Sequence, residues 1–386
     1  MKIITFIILS IIAYFISTDI YTPSMPIIAR EFNVHRDIVQ HSLTYFLAGA
    51  ILSCLFSGII ADHYGKRRIL LMGLLIAIMG SILAAFCTSI NQLLFARILQ
   101  GMGGATVSVI GLAMIHDYTP EHKATKVFGI LGIYFAIIPA LAPAFGGYIT
   151  NYFGWRYNFH ILVALYICSF IGILKIVPKD MPDTHKKQNL FRFKDYYCML
   201  TTRSFMFILL ISPLFVSGEW FMISYLPFYI QEKFQYSPEL YGLFLTSLMP
   251  WYACGSYLAG KYGQKIGLNN LIYLAITLGI LASVVLFIIA LTNIDSIIPI
   301  YISLFIYFLG FGLLFPATTT KVFAYFPDLK ATSSSLRSIV VTSFSLLGTV
   351  FADIADENQL IHFAFYFCAF STLALFLFRF RGETSV

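Results

Sequence analysis

The chain has 386 residues, of which 59% are hydrophobic and 11% charged, and its formal net charge is +7. Soluble domains carry about 25% charged residues, so this composition excludes a soluble globular protein. The apolar residues instead fall into windows of about 20, the length that crosses a hydrocarbon core of about 30 Å. The sequence therefore predicts a polytopic membrane protein. Because the positive charge lies in basic loops, it predicts no nucleic-acid partner.

The first predicted element is an apolar helix over residues 3–22. A secretory signal would also begin with a lysine and an apolar core. No A-x-A-like cleavage site follows here, however, and further apolar spans do, so a membrane helix is favoured. Asp19 lies near the end of this helix and is followed by Pro23 and Pro26. Because proline cannot continue a regular helix, the span is expected to end or kink just beyond the carboxylate.

Eleven further spans follow, and their loops are short except for residues 178–203, which are polar and basic. This linker separates a first half, 1–177, from a second half, 204–386. The sequence thus predicts an all-α membrane protein of twelve transmembrane helices in two six-helix halves. The eleven spans lie near residues 38–60, 69–88, 92–115, 126–149, 157–177, 204–230, 238–260, 269–291, 297–325, 332–353 and 359–379.

Lysine and arginine residues are shared unevenly between alternate loops. With a cytoplasmic N-terminus, 19 of the 25 lie in cytoplasmic segments and four in outer loops, and Arg97 and Arg337 lie inside spans. Basic residues concentrate in the cytoplasmic loops of membrane proteins. Both termini and the 178–203 linker are therefore expected in the cytoplasm.

Two segments of the first half recur in the second. "GIIADHYGKR", which ends span 2, resembles "SYLAGKYGQK", which ends span 8, and this match pairs Gly65 with Gly263. "STD" at 17–19 corresponds to "SGE" at 217–219. Two halves of the same orientation are related by a pseudo-twofold axis along the membrane normal. This arrangement is typical of transporters that bind substrate between the repeats.

Ionisable residues inside membrane spans are costly and are candidates for function. At a rise of 1.5 Å per residue, Asp19 and Glu219 each lie about 24 Å from the inner face, and Arg97 lies about 9 Å below the outer face. The three share one layer, where they can balance one another around a polar cavity. Structural roles stay open: an interfacial position, a helix–helix hydrogen bond and a fixed ion pair, respectively. Arg337 lies nearer the inner face, where it would either snorkel to lipid phosphate or line a cavity.

No metal or cofactor site is expected. The six cysteines are scattered and the eight histidines form no clustered ligand set, which is typical of core residues rather than metal ligands or disulfides. The acidic run "DIADE" at 353–357 is better explained as a solvated outer turn than as a divalent-metal cluster. No G-x-x-x-x-G-K-[ST] sequence is present, so no P-loop nucleotide is expected.

Three motifs resemble those of the major facilitator superfamily: its loop 2–3 signature G-x-x-x-D-x-x-G-[RK]-[RK], its span-4 signature in "NQLLFARILQGMGGA" and its span-5 antiporter motif in "PALAPAFGGYI". Ala142 stands where the last motif has glycine. "TDIYTPSMPII", "GWRYNFHIL" and "YFPDLKATSSSL" are similar to strings of the drug:proton antiporters of the Bcr/CflA type. The matching residues are Gly58, Ala61, Asp62, Gly65, Lys66 and Arg67 in the loop, Arg97, Gln100, Gly101 and Gly103 in span 4, and Pro143, Gly146 and Gly147 in span 5.

The resemblance implies the major facilitator fold and a conformational role for these motifs. Gly58 is expected to let span 2 approach a neighbour closely, and Asp62 to lie at a helix end, where it meets a helix dipole. Lys66 and Arg67 would lie at the inner surface beside anionic lipid, and in this family the loop is thought to latch one conformation. The glycines and Pro143 would permit the close packing and bending that a rocking interface needs.

Together these features predict a secondary active transporter, a proton-coupled exporter of drugs or other small molecules. It would work by alternating access, as a monomer, in a bacterial inner membrane. Protonation of Asp19 or Glu219 would be the coupling event, because a proton removes a charge that is costly in an apolar cavity. Aromatic side chains are expected either to line the cavity or to pack in the core. The candidates are Tyr45, Tyr134, Trp220, Phe221, Tyr225 and Trp251.

Two other functions stay open at this stage. The same fold could serve an importer, or an exporter of one metabolite such as a siderophore, although a single-substrate site usually needs more fixed polar partners than the few buried charges here. An intramembrane enzyme would need acidic metal motifs at the cytoplasmic face, and "DIADE" is predicted on the opposite side. No enzymatic activity is therefore expected.

Overall fold

The structure is a computed structural model that describes residues 2–118, 137–138, 140–178, 193–292, 296–326, 329–355 and 360–380. All regular secondary structure in these residues is helical. The helices are α1 Lys2–Asp19, α2 Met25–Phe32, α3 Arg36–Tyr64, α4 Lys66–Ala85, α5 Ile90–Tyr118, α6 140–153, α7 Arg156–Ile176, α8 Phe193–Thr201, α9 Arg203–Lys233, α10 Pro238–Ile266, α11 Leu268–Thr292, α12 Ile297–Tyr325, α13 Lys330–Ile354 and α14 Leu360–Arg379.

The first span is a broken helix, as its prolines predict. α1 ends at Asp19, a 3₁₀ turn covers Thr22–Ser24, and α2 resumes at Met25 with Pro26 in its first turn. The predicted limit at residue 22 is wrong, however, because the apolar span continues from Ile3 to Phe32. A proline at the start of each new element removes a backbone donor that would be unpaired there anyway.

Side chains satisfy the backbone that this break exposes. Thr22 Oγ1 donates to the Asp19 carbonyl at 2.9 Å, and Gln231 Nε2 donates to the Pro23 carbonyl at 2.8 Å. Ser24 N donates to the Tyr21 carbonyl at 2.8 Å. An unpaired backbone group costs several kcal/mol in a membrane interior, so irregular backbone there needs such partners.

Within the described residues, ten helices are long and apolar enough to cross a bilayer. α10 is also long, with 29 residues, but tyrosine, tryptophan, serine and glycine dilute its apolar character. α6 is described only over 140–153, and residues 119–136, where span 5 was predicted to begin, lie outside the described part. The number of twelve spans therefore stays a prediction.

The chain divides into two compact units. The first comprises Met1–Leu190 and Gln231–Thr246, and the second comprises Phe191–Ile230 and Ser247–Val386. The predicted linker contains one described element, α8, whose Met199 is fully buried and accepts a weak hydrogen bond from Ser333 of α13 at 3.8 Å. The rest of the second half lies in the second unit. Residues Gln231–Thr246, which comprise the end of α9, the turn after it and the start of α10, belong to the first unit instead.

In the first unit, α5 packs against α3 at glycines whose missing side chains allow backbone contact. A Cβ built on Gly101 would lie 1.9 Å from the Phe46 carbonyl oxygen, and one built on Gly49 would lie 2.4 Å from the Ile98 carbonyl oxygen. The second unit repeats this reciprocal contact between α10 and α12. There a Cβ built on Gly312 would lie 2.1 Å from the Tyr252 carbonyl oxygen, and one built on Gly255 would lie 2.3 Å from the Leu309 carbonyl oxygen. In the first unit, the span-4 glycine Gly101 therefore lies where the two helix backbones approach closely.

The internal repeat is real, but one predicted pairing is wrong. Gly65, between α3 and α4, has φ +94°, and its structural counterpart between α10 and α11 is Gly267, with φ +85°. Gly263 lies inside α10 instead. The letter match that paired Gly65 with Gly263 slipped by one helical turn, because it aligned similar residues rather than the turn itself.

Gly267→Ala is expected to lower the free energy of unfolding by about 1–2 kcal/mol, because an L side chain is strained at positive φ. Gly263→Ala is the matched control, since its Cβ would meet only ordinary contacts, the nearest being Leu271 Cδ1 at 3.5 Å. Thermal unfolding in detergent measures both variants. Equal stability of the two variants would contradict the assignment of Gly267 as the turn residue.

Candidate transport site

Arg97 is the largest fully buried side chain in the described chain. It projects from α5 toward the end of α1, where Nη1 donates to the Ser17 carbonyl at 3.0 Å and to Gln100 Oε1 at 2.8 Å. Within the described residues, Nε and Nη2 are buried and make no hydrogen bond. Unpaired buried donors are costly. The guanidinium is therefore positioned by the bonds of Nη1, while its Nε and Nη2 donors stay available to another acceptor.

Two aromatic rings enclose the Arg97 guanidinium. Its Cζ lies 4.3 Å from the ring centroid of Tyr21 and 4.2 Å from that of Phe46. Ring faces attract a cation, most strongly where water is excluded. These rings therefore supply part of the stabilisation that a buried charge needs without supplying a counter-ion.

Asp19 is the last residue of α1 and is half-buried, whereas Arg97 is fully buried. It lies within electrostatic range of Arg97, Tyr14 and Tyr21. Among the described residues, no carboxylate oxygen lies within 4.0 Å of an Arg97 nitrogen. The structure thus brings the predicted pair together as separated neighbours rather than as a contact ion pair.

Glu219 occupies the matching position of the second unit. It is half-buried on α9 and lies within electrostatic range of Tyr252 and Tyr307. Each carboxylate follows, by two residues, a serine that is bonded to a tyrosine of the sixth helix of its half. These bonds are Ser17–Tyr166 at 3.4 Å and Ser217–Tyr366 at 2.6 Å. This equivalence supports the offset of 200 that aligned "STD" with "SGE".

Arg337 stacks on an aromatic ring within the second unit. Its Cζ lies 4.3 Å from the ring centroid of Phe315, within electrostatic range of Tyr252. Its Nε and Nη2 atoms are buried and make no hydrogen bond to the described residues. The side chain therefore stacks inside the second unit instead of reaching outward to lipid phosphate.

The aromatic candidates separate into two groups. Phe221 and Tyr225 are 1% and 0% exposed and stack with Phe363, so they form core rather than an open cavity, and Phe221 only borders a groove of about 590 Å³ in the second unit. Trp251 is exposed and donates through Nε1 to the Tyr301 hydroxyl at 3.3 Å. The remaining candidates are Tyr45 and Trp220, which are half-buried, and Tyr134, which lies outside the described residues.

The loop 2–3 motif fastens the α3–α4 turn to two other helices. Lys66 Nζ pairs with Asp117 Oδ2 at 2.5 Å at the end of α5, and Arg67 Nη2 donates to the Leu174 carbonyl of α7 at 2.8 Å. Gly58 corrects an expectation, because a Cβ there would meet no heavy atom of the described residues within 4 Å. Its helix face is open rather than closely packed. The side chain of Asp62 lies outside the described part of the structure.

The span-5 motif lies between two backbones in the first unit. A Cβ built on Gly146 would lie 1.6 Å from the Ile20 carbonyl oxygen, at the break in the first span. One built on Gly147 would lie 2.2 Å from the Pro238 carbonyl oxygen, at the start of α10. These two consecutive glycines let α6 touch the end of α1 on one face and the turn after α9 on another.

Residues of the string "GWRYNFHIL" form an ion pair and hydrogen bonds that were not predicted from the sequence. Arg156 Nη1 pairs with Glu31 Oε1 at 2.5 Å, and Trp155 Nε1 donates to Glu31 Oε2 at 2.6 Å. Arg156 Nη2 also donates to the Cys87 carbonyl at 3.0 Å. Glu31 and Arg156 could be recognised in the sequence only as isolated charges near the ends of predicted spans. The sequence does not show which charged residues form a pair.

The sequence of the chain matches the family model described as "Major Facilitator Superfamily" over residues 7–349. The chain belongs to the major facilitator superfamily. It is therefore a multi-pass membrane transporter, and the resemblance inferred from its loop, span-4 and span-5 motifs is confirmed.

Several named proteins are similar to this chain. "Bicyclomycin resistance protein homolog" of Haemophilus influenzae is 32% identical to it over 189 residues, which cover 48% of this chain and 46% of the relative. "Chloramphenicol resistance protein CraA" of Acinetobacter baumannii is 23% identical over 71% of this chain and 66% of the relative. The crystal structure of a D-xylose-proton symporter superposes with a TM-score of 0.79 at 16% identity, covering 100% of this chain and 98% of the symporter. That likeness confirms the major facilitator fold.

Proposed function

We propose that this transporter is a proton-coupled exporter of small lipophilic molecules, in which Asp19 carries the exchanged proton and Arg97 supplies the fixed opposing charge. The observation that carries the proposal is their arrangement: the fully buried Arg97 lies beside the half-buried Asp19, and no nitrogen of its guanidinium lies within 4.0 Å of the carboxylate in the described structure. Arginine stays protonated in proteins. The charge of the site is therefore set by the state of Asp19.

Proton and cationic substrate would compete for the same carboxylate. When Asp19 is ionised, it balances Arg97 and can also accept a cation. When Asp19 is protonated, Arg97 leaves the site positive and repels that cation. Because Asp19 is less buried than Arg97, water would deliver the proton to Asp19 without reaching Arg97. Binding that differs between two states is what allows one ligand to drive another.

Glu219 is proposed as a second, subsidiary acidic site. It holds the same place in the second half, but its electrostatic neighbours include the phenols Tyr252 and Tyr307, whereas those of Asp19 include a buried arginine. A carboxylate among phenol groups suits recognition of a cationic part of the substrate. Glu219→Gln is therefore expected to change which drugs are exported while leaving proton coupling in place.

The topology and setting of the transporter are proposed from the sequence. Both termini and the 178–203 linker would face the cytoplasm, in a bacterial inner membrane, and the chain would act as a monomer and not as an enzyme. A reporter enzyme that functions only in the cytoplasm should be active when it is fused near Lys187, and one that functions only in the periplasm should be inactive there. Activity restricted to a periplasmic reporter would overturn this orientation.

The loop 2–3 motif is proposed to latch one conformation. The contacts of Lys66 and Arg67 fix the α3–α4 turn, and Asp62 lies in the last turn of α3, which leads into it. Asp62→Asn is expected to reduce drug export at least severalfold while leaving the amount of folded protein in the membrane unchanged. Export assays per transporter molecule test this, and wild-type export by the purified variant would contradict it.

Drug export itself is tested in an efflux-deficient bacterium. Expression of the chain should raise tolerance to bicyclomycin or chloramphenicol, the compounds named in its relatives, and should lower accumulation of the cationic dye ethidium. An uncoupler should abolish both effects, because it collapses the proton gradient. Unchanged tolerance and dye accumulation at confirmed membrane expression would refute an exporter of these classes.

A further inference from the structure

Gln100 of α5 is fully buried, and both ends of its amide are engaged. Its Oε1 accepts from Arg97 Nη1 at 2.8 Å, and its Nε2 donates to Ser81 Oγ of α4 at 2.9 Å. Ser81 Oγ in turn donates to the Ala77 carbonyl at 2.8 Å. A chain of three hydrogen bonds thus runs from the α4 backbone to the Arg97 guanidinium.

Helix packing leaves Gln100 little freedom. A Cβ built on Gly80 would lie 2.8 Å from Gln100 N and 3.0 Å from its Cγ. The backbone of α4 therefore passes directly over the base of this side chain. Since the amide is bonded at both ends and its stem is confined, Gln100 holds one orientation.

The second unit shows which part of this arrangement belongs to the fold. There the fourth helix of the half, α12, is bonded to the first, α9, by a neutral phenol: Tyr307 Oη donates to the Phe215 carbonyl at 2.7 Å. Ser283 on α11 is buried like Ser81 and donates to its own helix at Ile280 O, at 2.7 Å. A bond from the fourth helix to a carbonyl of the first thus recurs, whereas the arginine held by a glutamine is a feature of the first unit.

We infer that Gln100, anchored by Ser81, is a positioning residue that holds the Arg97 guanidinium short of Asp19 and so prevents a contact ion pair. The inference rests on the proposed proton coupling. A contact pair would fix Asp19 in its ionised form and occupy it with Arg97. A separated pair leaves the carboxylate open to a proton or to a cationic substrate. Gln100 would therefore keep Asp19 able to exchange a proton for a cationic substrate.

The charged and titratable groups around this pair are few. Tyr14 and Tyr21 lie within electrostatic range of Asp19, and Tyr21 and Tyr166 lie within range of Arg97. α3 contributes the uncharged ring of Phe46. Among these groups of the described chain, Arg97 carries the only formal charge facing Asp19 near neutral pH. A change in its position should therefore alter the pH dependence of the site.

Ethidium binding to the purified transporter in detergent, measured as a function of pH, tests this role with two variants. Ser81→Ala releases Gln100, so Arg97 can close onto Asp19. The midpoint of binding should then move to lower pH by about one unit, a tenfold change in proton affinity, and binding at high pH should weaken. Gln100→Glu places a carboxylate against Arg97, so Asp19 should keep its proton longer and the midpoint should move to higher pH.

Ser283→Ala is the matched control, because it removes a buried serine hydroxyl from the corresponding helix of the other unit. Its midpoint should equal that of the wild type. A merely structural role for Gln100 would lower the yield of folded protein without shifting the midpoint in opposite directions. Wild-type midpoints in folded Ser81→Ala and Gln100→Glu would overturn the inference. A wild-type profile that does not depend on pH would instead overturn the proton coupling beneath it.

Discussion

Asp19→Asn is expected to abolish uphill export of ethidium driven by a proton gradient. Asparagine keeps the size and hydrogen-bonding capacity of the side chain but cannot exchange a proton or balance Arg97. The site would therefore stay positive in every state and repel a cation. Transport by reconstituted protein in liposomes, with an imposed pH gradient, measures this loss directly.

An uncharged drug separates coupling from general inactivation. Chloramphenicol carries no cationic group, so its downhill movement through Asp19→Asn should persist, while its accumulation against a gradient should be lost. Glu219→Gln is the control at the matching position and should retain gradient-driven export of at least one of the two compounds. If Asp19→Asn accumulates ethidium at the wild-type rate while Glu219→Gln is inactive, proton coupling belongs to α9.

Gly146→Ala is expected to disrupt the first unit. The new Cβ would lie 1.6 Å from the Ile20 carbonyl oxygen, and a backbone atom cannot move aside as the tip of a flexible side chain can. Overpacking typically costs about 1–3 kcal/mol, and a clash with backbone belongs at the upper end. The free energy of unfolding should fall by about 3 kcal/mol, and transport should be lost because α6 can no longer close against the broken span.

Gly260→Ala provides the control for that substitution. Gly260 is also a helical glycine, in α10, but a Cβ there would meet no atom of the described residues within 4 Å. Alanine should stabilise the helix slightly, by up to about 1 kcal/mol. Thermal unfolding in detergent compares the two variants, and equal melting temperatures would show that α6 does not contact Ile20 as described.

Sequence patterns predicted features that depend on local chemistry. Asp19 followed by Pro23 and Pro26 predicted a broken first span, because proline restricts the backbone wherever the chain lies. Arg97 was recognised because a charged residue inside an apolar span is rare. Gly101 was recognised as part of the span-4 motif, where a close contact between backbones requires glycine. Hydropathy likewise predicted the ten spans found in the described residues, although the first of them extends ten residues beyond its expected end, to Phe32.

Features that depend on which helix faces meet could not be predicted. Phe221 and Tyr225 lie in an apolar window, and apolar windows do not show whether a ring faces a cavity or a neighbouring helix. Gly58 was expected in a tight contact, but its face is open. The Glu31–Arg156 pair joins residues 125 positions apart, and only the packing of α2 against the α6–α7 turn brings them together.

Substrate-induced proton release by the purified transporter tests the proposed role of Asp19 most directly. Ethidium added to wild-type protein in weakly buffered detergent solution, below the pH at which the site is fully ionised, should release a proton as it displaces one from Asp19. Asp19→Asn should release none, and Glu219→Gln, once saturated with ethidium, should release as much as the wild type. Undiminished proton release from Asp19→Asn would contradict the assignment of this residue as the coupling site.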